Sequence, residues 1–297
     1  MTVGWELVAL QIFNGFTMAL AYTLVALGLS TTMGLLGIVN FAHGALYMMG
    51  GYFTYILASS MGFGTGLACA TSLCALLGII LFLCIYKPLE TRSPIQVLVA
   101  LIGVLLIFEQ LVRDFLGAEP KMLQIPFYLS GPIVFNLLGS KISFSKYYLF
   151  ITVVSSVILI LVYCLFHRTN IGIRGLASIQ NKEVASLLGV DLTKVGIIIF
   201  VLGSILAGIG GGLLGPVFSI YPTVGGEILG FIFVIVIVGG VGSLIGTFFA
   251  SLLFCLIRSI GCIFLSPNYV EIIAYCILIA IIAFKPRGLL GREKVLD

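Results

Sequence analysis

Between Glu6 and Lys87 the chain carries no Asp, Glu, Lys or Arg: eighty consecutive residues, Leu7 to Tyr86, without a formal charge. A water-soluble fold needs a charged shell, and this stretch supplies none; a lipid bilayer tolerates it. At ~20 apolar residues per crossing, the run holds about three membrane spans joined by short uncharged turns. The remainder of the 297 residues follows suit, with 61% hydrophobic and 9% charged, against roughly 25% charged in ordinary soluble domains. The expected fold class is an all-α polytopic membrane protein, one transmembrane domain over residues 1–297 in a multi-pass arrangement. The net charge is +4, and no basic cluster points to nucleic acid. No Lys or Arg precedes the first apolar run, so no cleavable signal is expected and the first span is retained.

Apolar runs predict helices at about 7–30, 34–58, 63–86, 95–117, 147–166, 194–216, 226–241, 243–265 and 269–284. The 226–241 piece is short for a full crossing. Eight spans with a broken or re-entrant segment, or nine spans, both fit. Lys and Arg set the orientation, because cytoplasmic loops keep them. With nine spans, Lys87, Arg92, Arg168, Arg174, Lys182, Lys194, Lys285, Arg287, Arg292 and Lys294 share one side, which is therefore cytoplasmic. Arg113, Lys121, Lys141 and Lys146 lie opposite, and the chain starts outside. The 118–145 segment is then extracytoplasmic and rich in turn formers (Pro120, Pro126, Gly131, Pro132, Gly139). It is either a contact for an external partner or a connector.

Polar residues inside hydrocarbon need a reason. Asn40 and His43 are three residues apart and share a helix face with Tyr47, while Gln11 and Asn14 form a similar pair in the first span. Such residues either line a polar path or hydrogen-bond between helices and hold the bundle together. The run Gly239-Gly240-Val-Gly242-Ser243 reads either as a helix break around a transported solute or as a tight turn between ordinary spans. Glu109 precedes Arg113 by four residues, the order that favours a neutralised helical pair. Glu227 suits a helix N-terminus. The 168–194 loop is long enough for a short amphipathic helix that Gly189 ends, with Asp191 capping the next span. It either docks in a partner's groove or lies along the membrane surface.

Catalytic signatures are missing from the sequence. No GxxxxGK[ST] phosphate loop, HExxH or GxSxG occurs. His43 has no second His or carboxylate at ligand spacing. The seven cysteines lie in apolar runs without a CxxC pair and read as packing residues. No metal, cofactor or catalytic residue is expected. An ion-coupled carrier would need buried carboxylates or a positioned ion site, and only Glu109 offers itself.

The segment Gly37-Ile-Val-Asn-Phe-Ala-His-Gly-Ala-Leu-Tyr-Met-Met-Gly-Gly-Tyr52 resembles the signature of the branched-chain amino-acid permeases of bacterial ABC transporters. Ala185-Ser-Leu-Leu-Gly189-Val-Asp191 is similar to that family's cytoplasmic coupling loop. Val238-Gly-Gly-Val-Gly-Ser243 and Lys285-Pro-Arg-Gly-Leu-Leu-Gly-Arg292 match in order and place. The resemblance implies an inner-membrane permease working by alternating access. Its implied partners are a second homologous permease, two cytoplasmic ATPase subunits and a periplasmic solute-binding protein. Ala177, Asn181, Glu183, Ala185, Leu188 and Gly189 would couple it to the ATPase. Asn40, His43, Tyr47, Gln11 and Asn14 would line the solute pathway, with Gly239, Gly240, Gly242 and Ser243 as gate. Urea and amide permeases share much of the pattern, so the solute is set only to the level of small polar molecules, amino acids first.

Overall fold

The computed structural model describes residues 4–37, 39–137, 140–285 and 288–290. Ile38, Gly139, Arg287, Arg292 and Lys294, used above, lie outside the described residues. The helices are α1 (Trp5–Leu36), α2 (Ala42–Met61), α3 (Phe63–Leu89), α4 (Pro94–Leu116), α5 (Lys146–Arg168), α6 (Asn170–Gln180), α7 (Lys182–Leu187), α8 (Leu192–Leu214), α9 (Val224–Gly239), α10 (Leu244–Phe264) and α11 (Pro267–Phe284). Seven of them (α1, α3, α4, α5, α8, α10 and α11) are long and apolar enough to cross a membrane. With α2 and the 16-residue α9, nine elements fill the transmembrane layer among the described residues. One expectation needs correcting. The 118–145 segment is not only turns: β1 (Pro132–Leu137) and β2 (Ser140–Ser145) pair there as an antiparallel hairpin.

Sequence explains which helices sit inside. α3, α4, α5, α10 and α11 expose most of their apolar surface, as lipid-facing spans do, whereas α1 and α8 are largely buried. α2 has 20 residues and no formal charge, yet is not among the seven. Its glycines, tyrosines and His43 lower its hydropathy below that of a lipid-facing span. That is affordable because protein, not lipid, surrounds it: residues 42–48 are all buried.

Glycines let this centre close. A Cβ at Gly50 would lie 2.4 Å from the Gly208 carbonyl oxygen, and one at Gly211 would lie 2.0 Å from that of Tyr47, so α2 and α8 touch backbone to backbone. Dispersion at such approach replaces the hydrophobic drive that lipid cannot supply. Buried hydroxyls are mostly satisfied within their own helices. Thr23, Thr54 and Ser204 each donate to the carbonyl four residues back, at 2.6, 2.7 and 2.8 Å. Between helices, Ser251 donates to the Ala19 carbonyl at 2.9 Å and Tyr147 to that of Leu213 at 2.8 Å. Tyr147→Phe should therefore cost about 1 kcal/mol, read as a lower melting temperature in detergent. An unchanged melting temperature would mean that the bond contributes nothing.

Candidate functional site

Two helices begin partway through the bundle. Gly225, in the first turn of α9, packs against Leu105, midway along α4. His43, in the first turn of α2, packs against Gly28 of α1, which itself touches Gly203, midway along α8. At 1.5 Å per residue, a 23-residue helix such as α8 spans about 35 Å, so these starts lie about 17 Å from either end. The two first turns meet: a Cβ at Gly44 would lie 2.2 Å from the Gly225 carbonyl oxygen. The predicted spans at 34–58 and 226–241 are thus helices of 20 and 16 residues that start inside the bundle rather than at its edge. Gly37 ends α1 with φ 73°, and the following segment returns the chain to mid-depth. Before α9, residues 215–223 fold back and are tied to Lys121 by paired backbone bonds of 2.7 and 2.8 Å with Ile220.

Asn40 and His43 are each only 1% exposed. The His43 Nε2 lies 2.9 Å from the Val25 carbonyl oxygen. A carbonyl only accepts, so Nε2 carries the proton and Nδ1 of the neutral ring is a bare acceptor. Among the described residues, neither that Nδ1 nor the Asn40 Oδ1 has a partner. Tyr47, one turn on, lines a small cavity with Met48, Gly51, Gly211, Ile220 and Val224. These three expected pathway residues all lie at the buried start of α2, the His43 backbone amide donating to the Asn40 carbonyl at 3.1 Å. Gln11 and Asn14 do not join them. Gln11 sits on α1 more than three turns away, where the Ser259 hydroxyl reaches its Oε1 at 2.8 Å and ties α1 to α10.

Glu109 corrects a second expectation. Arg113 acts on it electrostatically but stands beyond salt-bridge distance; the ion pairs among the described residues are Lys87–Glu90 and Lys194–Asp191. Glu109 lies beside the Gly226 amide at the start of α9, where negative charge is favoured. Glu227, in the same first turn, accepts from Tyr221 and from Thr223. Sequence reading missed Arg258, a cation inside α10 within electrostatic reach of Tyr22 and Tyr275. Its position inside an apolar helix was the available signal.

The Gly239–Ser243 run is a tight turn between α9 and α10. Gly240 and Gly242 take φ 97° and 78°, which side chains resist. Ser243 caps α10 by accepting from the Gly246 amide at 3.1 Å, and the Gly242 amide donates to Ser30 on α1 at 3.0 Å. The Leu289 amide donates to the Val238 carbonyl at 2.6 Å, so the chain's tail covers the end of α9.

At the same end of the bundle, the 168–194 loop forms two helices rather than one. Asn181 caps α7 by accepting from the Val184 amide at 3.0 Å. The Asn181 amide itself donates to Ala177 at 3.0 Å, and Ala185 is buried at the root of α7. Leu187 and Leu188 project outward, 87% and 78% exposed. Glu183 is exposed on the same short helix, and Gly189 ends it with φ 80°. On the inner side Ile179 is wedged: a Cβ at Gly34 or Gly242 would lie 2.9 or 2.8 Å from its Cγ2. This side chain links the loop to both α1 and the α9–α10 turn.

Asp191 caps α8 by accepting from the Lys194 amide at 3.1 Å. That bond and the Lys194 side chain hold its carboxyl below the ordinary value. A depressed carboxyl contributes above its unfolded value and loses the contribution as pH falls through its own lowered one. Amide exchange in the first turn of α8 should accelerate on acidification past that point; acceleration already near neutrality would exclude the cap.

Among the described residues, no group of three His, Cys, Asp or Glu side chains is placed to hold a metal ion. What the arrangement offers is a glycine-sealed centre where two helices start inside the bundle, and a protruding helical pair at its basic end. A multi-pass bundle of this kind defines a membrane permease. The family of permease components of the branched-chain amino acid transport system matches residues 11–282, and the chain belongs to that family. It is similar to the high-affinity branched-chain amino acid transport system permease protein BraD of Pseudomonas aeruginosa, 27% identical with 96% of each chain covered. It is also similar to LivH of Escherichia coli K12, a permease protein of the same description (27% identical, 96% of each covered). The probable branched-chain amino acid transport permease protein LivH of Methanocaldococcus jannaschii is 31% identical, with 90% of this chain and 88% of that one covered.

Proposed function

We propose that this chain is the membrane-permease subunit of an ATP-driven importer that carries branched-chain or similar small amino acids across the inner membrane by alternating access. The observation that carries this reading is the α6–α7 pair. It stands out from the basic end with Leu187 and Leu188 exposed, while Ile179 behind them touches α1 and the α9–α10 turn. A surface of that kind suits an external motor, and the sequence has no phosphate loop of its own. The partner set is two cytoplasmic ATPase subunits, a second homologous permease and a periplasmic solute-binding protein. Ala177 to Gly189 is the coupling segment, and Asn40, His43 and Tyr47 belong to the pathway. Gly239 to Ser243 is the hinge through which the coupling segment moves α9.

Reconstitution tests this. Leucine uptake into proteoliposomes should require the ATPase and the binding protein together. Uphill uptake by the isolated chain, or ATP cleavage by it, would overturn the reading. Within the complete importer, His43→Ala should lower uptake about tenfold or more while the subunits still co-purify. Unchanged uptake kinetics would leave His43 as a tie to Val25 alone.

A further inference from the structure

We propose that the start of α2 is a headgroup site for an α-amino acid, with the ammonium donating to His43 Nδ1 and Asn40 Oδ1. This deepens, and rests on, the importer reading above. Among the described residues the buried side-chain polar atoms without a partner are Asn40 Oδ1, His43 Nδ1, Tyr52 Oη and Ser155 Oγ, and the first two are acceptors three residues apart. Both belong to residues 1% exposed at mid-depth, where no bulk water reaches. A bare acceptor in such a place is costly and is relieved by an N–H or O–H donor. A primary ammonium has three donors and can satisfy both.

The surroundings fit the remainder of the same molecule. α2 starts here with no side-chain cap and no acid in its first turn. It shares the missing cap with α1, α3, α5, α9 and α11, whereas α4, α6, α7, α8 and α10 are capped by Ser93, Thr169, Asn181, Asp191 and Ser243. The positive end of the α2 dipole is therefore left for the carboxylate. The cavity beside Tyr47 borders Val224 at the start of α9 and leaves room for an aliphatic side chain once Gly44 and Gly225 part. The sealed contact corresponds to a state closed to solute.

The chain has two histidines, His43 and His167. His167 is exposed at the end of α5 and stacks on Tyr163, so His167→Gln leaves His43 as its single ring reporter. The assembled importer, with this chain labelled with nitrogen-15 histidine, is placed in lipid and followed by magic-angle-spinning NMR. Leucine should move the Nδ1 resonance toward that of a hydrogen-bonded acceptor, and the carboxylic acid of the same skeleton without the amino group should not. Asn40→Ala should raise the KM for leucine uptake about tenfold. No movement with leucine overturns the site. Equal movement with both compounds also overturns it, assigning the donor to a resident water or to a general conformational change. ATP-dependent leucine uptake in the same vesicles separates the two proposals. If uptake persists while the resonance stays still, only the site fails; if uptake is absent too, the importer reading fails with it.

Discussion

Gly211→Ala is expected to cost on the order of 3 kcal/mol and to leave little folded protein. The added methyl would sit 2.0 Å from the Tyr47 carbonyl oxygen and 3.0 Å from the Gly51 amide nitrogen. Both neighbours are backbone atoms, so no rotamer change relieves the overlap. α2 must move away from α8, and the Gly50–Gly208 contact one turn along moves with it. The control is a helical glycine in open space. Gly103 and Gly230 have no atoms within 4 Å of an added Cβ, and alanine at either should be neutral or slightly stabilising, since glycine costs a helix roughly 0.5–1 kcal/mol. Thermal unfolding in detergent compares the three. A Gly211→Ala protein that melts with the wild type would refute the close approach of α2 and α8.

The second large effect concerns coupling. Replacing Leu187 and Leu188 with Asp should weaken association with the ATPase by about 2 kcal/mol or more, the scale of an interface hot spot. Both side chains are mostly in solvent, so the isolated permease should keep its melting temperature. Uptake should fall with the lost association. Gly189→Leu acts differently. At φ 80° a leucine is strained, although nothing within 4 Å blocks its Cβ. The α7–α8 turn must then change shape, and nucleotide hydrolysis should continue without uptake. Wild-type uptake with wild-type stimulated ATPase in that variant would remove Gly189 from the coupling path.

How much of this was legible in the sequence depended on the kind of signal. Spans were visible because hydrocarbon excludes charge, and the run from Leu7 to Tyr86 leaves no other reading. The ends of α1 and α2 were not. No formal charge interrupts residues 31–47, and Gly37 marks the reversal. Asp191 and Gly189 announced a helix start and stop correctly because capping is local chemistry. The hairpin at 132–145 was hidden by its prolines and glycines, which advertise turns more loudly than the alternation between them advertises strands. Glu109 was paired with Arg113 by helical spacing, whereas its neighbour is the Gly226 amide, more than a hundred residues along the chain. Asn40, His43 and Tyr47 were grouped by spacing and lie at the buried start of α2. Gln11 and Asn14 shared the same polarity but sit elsewhere, because polarity alone does not encode depth.

Since α2 and α9 both start inside the bundle and abut at Gly44 and Gly225, the barrier between the two aqueous compartments is thinnest where those two first turns touch. Modest tilting of either helix then suffices to switch which compartment reaches the centre, without dragging whole spans through lipid.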